Sequence, residues 1–211
     1  MLLTEIKRTP IKPKSAKHRF IPQNLWDRFK YIGHGIGSGI DPSEVFLDLK
    51  HPNRILKVVA IADLNDSYYR YLRMIEKHQN NPYFPKVYGI KVYDLEEEDG
   101  IYYLYAFMEK LRPMASLPQE QVHYLLNSIG IPYTGKVKRD YSLRQQFKEP
   151  QERKAIRTET PDANLIKALR LMEPMFNKFG SDIHIENIML RVGPSKHPQV
   201  VIVDPFFPSN L

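Results

Sequence analysis

Residues 27–62, "DRFKYIGHGIGSGIDPSEVFLDLKHPNRILKVVAIA", constrain the chain more than any other stretch, because they read as three successive β-strands. An aromatic-bearing run (28–33) enters a loop with glycines at 33, 35, 37 and 39, and "SEVFLDL" (43–49) follows as a second strand. A Pro-Asn turn at "KHPN" then leads into "RILKVVAIA" (54–62), rich in β-branched residues that suit a half-buried pleated surface. Strands joined by short turns pair antiparallel, so a chain that opens this way builds a meander.

The pattern then changes period. Asp66 or Ser67 can cap a helix over 68–78, in which Tyr68, Tyr71, Leu72 and Ile75 fall on one stripe. Two more strands follow, "KVYGIKVYD" (86–94) and "IYYLYAFME" (101–109), joined by the acidic turn "LEEEDG". The first half is therefore five strands with one helix after the third. In the second half, 117–130 and 161–179 read as helices, the latter with Leu165, Ala168, Leu169, Met172 and Phe176 facing the core. Between them lies a basic stretch, 131–160, and the chain closes on "SDIHIENIML" (181–190), a turn and a final strand, "QVVIVDPFF". The expected class is α+β.

Composition excludes several kinds of protein. Hydrophobic residues make up 42 % and charged residues 26 %, enough for a core. Without cysteine there is no disulfide framework and no thiolate zinc site. No apolar run approaches the roughly 18 residues of a membrane span, and the first 20 residues lack a signal-peptide core, so a soluble chain with no membrane partner is expected. The net charge of +7 is concentrated in 7–19 and in 136–157, from Lys136 to Arg157. Such blocks can bind nucleic acid or acidic proteins, and they can equally be solvated surface.

Four segments could carry chemistry. Glycines between two strands, Gly33, Gly35 and Gly37 among them, can turn backbone N–H groups toward phosphate oxygens, although glycines also build ordinary hairpins. Lys57 interrupts an apolar strand, and a buried ammonium needs a partner. "FMEKL" (107–111) ends a strand where the chain turns helical. Last, Asp182 and Asn187 stand five apart in "SDIHIENIML", and Asp204 follows the apolar run "VVIV". One or two carboxylates with an amide oxygen suit Mg²⁺.

Taken in order, these segments resemble the plan of a protein kinase-like fold. "DIHIENIML" is similar to the Asp-x-His-x-x-Asn-Ile form of aminoglycoside phosphotransferase-like and atypical kinases, and "VDPF" looks like their version of Asp-Phe-Gly. The combination with "HPNRILKV" most resembles the early-gene serine/threonine protein kinases of bacteriophages, over about residues 28–207. The resemblance implies a basic arm (1–24), a five-stranded antiparallel N-lobe with one helix (25–111), and a reduced, mainly helical C-lobe with a basic insert (112–211). With seven residues after Asp204, it implies a minimal or truncated form.

It further implies an ATP- and Mg²⁺-dependent enzyme that phosphorylates Ser or Thr of host proteins in the bacterial cytoplasm. Asp182 would be the base, and Lys57 would hold the α/β-phosphates. Gly33, Gly35 and Gly37 would cover the phosphates, and Met108 would be the gatekeeper. The Glu109 carbonyl and Leu111 amide would face adenine, and Asn187 and Asp204 would hold magnesium. The helix residue that pairs Lys57 stays open between Glu76, Tyr68 and Tyr71, with Asp63 or Asp66 nearby. The alternatives are a pseudokinase or nucleotide-regulated binding module, and a nucleic-acid binder using the two basic blocks.

Overall fold

Alternation along the third strand sets the architecture. In a computed structural model of the chain, the described residues are 21, 25–34, 43–94, 101–128, 162–180, 183, 185–193 and 198–206. Gly35, Gly37, Asp182, His184 and the basic stretches 1–20 and 131–160 lie outside them.

Five strands, β1 (Phe29–His34), β2 (Glu44–Asp48), β3 (Arg54–Ile61), β4 (Val87–Asp94) and β5 (Tyr102–Glu109), form one sheet in the order β1-β2-β3-β5-β4. Every pairing is antiparallel. Successive side chains on a strand face opposite ways, so β3 divides its residues between two layers. Leu56, Val58 and Ala60 join Phe29, Phe46 and Tyr103 on one face, which Ile21 helps to close. Val59 and Ile61 join Leu104, Ala106 and Met108 on the other, under Tyr68, Tyr71, Leu72 and Ile75 of α1 (Ser67–Glu76). Lys57 has the parity of this second face.

Asp66 starts α1. Its Oδ1 accepts from the Tyr68 and Tyr69 N–H groups at 2.8 and 3.1 Å. Asp48, fully buried at the end of β2, ties the first three strands together. It accepts Arg28 Nε and Nη2 at 3.2 and 3.1 Å, and Arg54 through both Nε and Nη2.

The second half holds α2 (Gln119–Ser128) and α3 (Ala163–Phe179), begun by Asp162, whose side chain accepts from the Asn164 N–H at 2.8 Å. Leu165, Ala168 and Met172 of α3 are buried, with Leu169 and Phe176 packed beside them. Gly180 closes the helix at φ 82°, where a side chain would be strained.

A mainly helical second half is an incomplete description. The chain also makes β6 (Arg112–Pro113), β7 (Ile188–Val192) and β8 (Pro198–Ile202), a second antiparallel sheet in that order. The cause lies in "IMLRV", where Ile188 and Leu190 alternate into the core. Pro113 fits because β6 is an edge strand. Among the described residues no helix is long and apolar enough to cross a membrane.

Candidate functional site

Lys57 and Asp204 meet. Lys57 Nζ lies 3.3 Å from Asp204 Oδ2, joining residues 147 positions apart, with side chains 18 % and 34 % exposed. β3 is a central strand, so Lys57 does not escape along a sheet edge. Its charge is met inside the fold. The ammonium also sits over the Tyr68 ring, 4.0 Å from the centroid, and the Tyr68 hydroxyl donates to Met108 Sδ at 3.4 Å. Burial alone would lower the Lys57 pKa, but Tyr68 and Asp204 outweigh it and the net shift is upward. At neutral pH the phenol is uncharged, so the attraction comes from the Asp204 carboxylate and the negative face of the ring.

Glu76 is not the partner of Lys57. It pairs with Arg73 at 2.6 Å near the exposed end of α1. The reason is helical phase: Tyr68, Tyr71, Leu72 and Ile75 form the buried stripe, and position 76 falls beside it. Asp66 is drawn into capping α1, where burial, opposed by its two N–H donors, raises its pKa with a contribution from the Asp204 charge.

The backbone around Asp204 is pinned on both sides. The Ile202 N–H donates to the Tyr83 carbonyl at 2.9 Å, and the Tyr71 hydroxyl donates to the Ile202 carbonyl at 2.6 Å. The Val203 N–H then donates to the Asn187 carbonyl at 3.0 Å, which brings the segments carrying Asn187 and Asp204 side by side. Beyond, buried Phe206 packs edge-on against Tyr71, with ring centroids 5.7 Å apart, and tilted against Phe176 at 4.9 Å. Asn187 closes a 3₁₀ turn over Ile185–Asn187, anchored by buried Ile183 and Ile188, while Glu186 is exposed. Aspartate and asparagine side chains offer hard oxygen donors, the kind that Mg²⁺ takes in preference to softer metals. Among the described residues no three His, Cys, Asp or Glu side chains converge as a metal site.

At the end of β5, Met108 is buried against Tyr68, and Leu111 is half-buried. The Glu109 side chain has a role that its sequence context does not reveal. It accepts from the Lys86 N–H at 2.8 Å and from Arg191 of β7, at 2.8 Å from Nε and again from Nη2. Arg191 also donates to the Pro82 and Phe84 carbonyls, each at 2.8 Å, so one guanidinium joins the two sheets. The signal for this contact is faint: an acid ending one apolar strand and an arginine inside another.

Gly33 pairs with Val45 next to a β-bulge, and a Cβ built there meets nothing within 4 Å. An open groove of about 340 Å³ lies elsewhere, between α1 and the β4–β5 edge, lined by Leu64, Tyr69, Arg73, Ile90, Val92 and Tyr102. None of these carries the Lys57–Asp204 chemistry. The structure thus brings together Lys57, Asp204, the Asn187 segment and Met108, with Tyr68 between lysine and methionine. No protein-family model matches the sequence, and no curated protein is significantly similar to it.

Proposed function

We propose that the protein is an ATP- and Mg²⁺-dependent phosphotransferase of protein kinase-like fold that acts on Ser or Thr of a protein. The observation that supports this reading best is the Lys57–Asp204 pair. The sequence singles out the two residues separately, for phosphate and for metal, and they lie 3.3 Å apart from opposite halves of the chain. The sheet with one helix packed on the lysine face, and the Asn187 segment bonded to Val203, support it further.

In this reading Lys57 leaves Asp204 for the α/β-phosphates of the bound nucleotide. Asp204 and Asn187 would hold magnesium, which when bound neutralises charge on the β/γ-phosphates. Asp182, outside the described residues, would take the proton of the acceptor hydroxyl as its oxygen bonds the γ-phosphorus. The bond to the β–γ bridging oxygen breaks, and ADP leaves. Most of the acceleration would come from positioning and charge stabilisation. The main-chain groups of Glu109 and Leu111 would meet adenine, and Gly33, Gly35 and Gly37 would cover the phosphates.

The test is incubation with labelled ATP, Mg²⁺ and a bacterial lysate. Label transfer by the wild type that disappears in Asp204→Ala and in Asp182→Ala is the expected result. Transfer that persists in Asp182→Ala removes that residue as the base.

A second reading is favoured by Tyr68 standing on Lys57 where the kinase plan has a helix carboxylate. It is a nucleotide-regulated binding module or pseudokinase, for which ATP raises the melting temperature while no label moves.

A further inference from the structure

A lysine buried in a fold needs a partner for its charge, most simply a carboxylate. Here α1 offers none: Glu76 is engaged with Arg73, and Asp66 caps its own helix. Tyr68 occupies the space instead, 6 % exposed, with its ring 4.0 Å from Nζ and its hydroxyl fixed on Met108 Sδ. An aromatic face attracts an ammonium but does not neutralise it. The full charge of Lys57 therefore stays available to an anion from the open side, where Asp204 now sits. A helix glutamate would compete with that anion; a phenol ring does not.

We infer that Tyr68 is the positioning residue of Lys57: its ring holds the ammonium aimed at the Asp204 side, where nucleotide phosphates would replace the carboxylate. This rests on the nucleotide reading above and adds to it. Among the described residues Asp204 is the single carboxylate bonded to Lys57, so an incoming phosphate frees it, and phosphate and magnesium binding become coupled through one ion pair. Tyr68 is the contact Lys57 keeps in both arrangements. Met108 sets the depth of the ring, so the gatekeeper position and the lysine are mechanically connected through one hydroxyl.

Two readouts on the whole chain separate this from the nucleotide reading itself. The first is the chemical shift of the Lys57 ε-methylene protons, identified by their loss in Lys57→Met. An ammonium over a ring places them in its shielding cone, so wild type and Tyr68→Phe should show them shifted upfield and Tyr68→Leu should not. The second is ATP affinity by calorimetry in EDTA, with no metal present. Tyr68→Phe should bind within about 2-fold of wild type and Tyr68→Leu about 5- to 30-fold more weakly, the range of a partly desolvated cation–π contact. Equal ATP affinity in a folded Tyr68→Leu overturns the positioning role. Ordinary ε-methylene shifts in the wild type overturn it without any variant. A wild type with the upfield signal that binds no ATP overturns the nucleotide reading, and with it the positioning role, while leaving the Tyr68–Lys57 contact itself standing.

Discussion

At Lys57 the balance of charge is uneven, and the unevenness can be measured. Asp204 is about one-third exposed, so losing Lys57 leaves its carboxylate in reach of water. Lys57 is deeper, so losing Asp204 leaves an ammonium that, among the described residues, keeps the Tyr68 ring and no carboxylate. Asp204→Ala should therefore cost more stability than Lys57→Met, by about 1–3 kcal/mol, the value of a hydrogen bond to a charged group. Urea denaturation of both variants decides this, and the reverse order would mean that the pair is solvated. Asp48 gives a pH signature of the same kind. Burial pushes its carboxyl up, but the hydrogen bonds of Arg28 and Arg54 prevail and hold it below the usual range. A depressed folded pKa means that the unfolded chain binds more protons. The stability Asp48 supplies is thus complete above its unfolded pKa of about 3.9 and is lost as pH falls through the lower folded value. The stability gap between wild type and Asp48→Asn should be flat from neutral pH to about 5 and shrink in stronger acid. Asp66, whose pKa is raised, works in the opposite direction, so only the difference between the two proteins isolates Asp48.

At the scale of elements, Gly33 separates a structural from a ligand role. A methyl group there meets nothing within 4 Å, and β1 would gain the roughly 0.5–1 kcal/mol by which alanine exceeds glycine in a strand. Gly33→Ala should leave the melting temperature unchanged or raised; a weaker ATP affinity in that variant would assign Gly33 to the nucleotide rather than to the hairpin. The same contrast explains what could be read from the sequence. The β-branched run of β3 located that strand and singled out Lys57 within it, and the cap at Asp66 or Ser67 with the 68-71-72-75 stripe located α1, because these signals are local. β7 was hidden since "IMLRV" is short and follows a turn whose polar residues dominated the pattern. The Tyr68–Lys57 contact depends on how α1 is rotated over the sheet, which Glu76 and Tyr68 alone could not fix. Glu109 and Arg191 meet 82 positions apart, and no local rule links them.

For the whole molecule that contact matters most, because Arg191 crosses from the small sheet to the large one. Its guanidinium serves both oxygens of Glu109 and the Pro82 and Phe84 carbonyls, while Tyr83, between those two residues, receives the Ile202 N–H of β8. The 82–84 segment is therefore held from both sides by the sheet that leads to Asn187 and Asp204. Removing the arginine would leave a largely buried carboxylate with the Lys86 N–H and two carbonyls without this donor. Arg191→Met should lower stability by about 3–5 kcal/mol, as for one partner lost from a buried pair. Arg191→Lys should recover little, because an ammonium cannot spread donors over four acceptors in the plane of a guanidinium fork. Glu109→Gln in the Arg191→Met background should cost far less than it does alone, since the two residues act as one unit. If the two substitutions instead add, and lysine restores wild-type urea resistance, the guanidinium is a surface contact and the small sheet holds Asp204 in place without it.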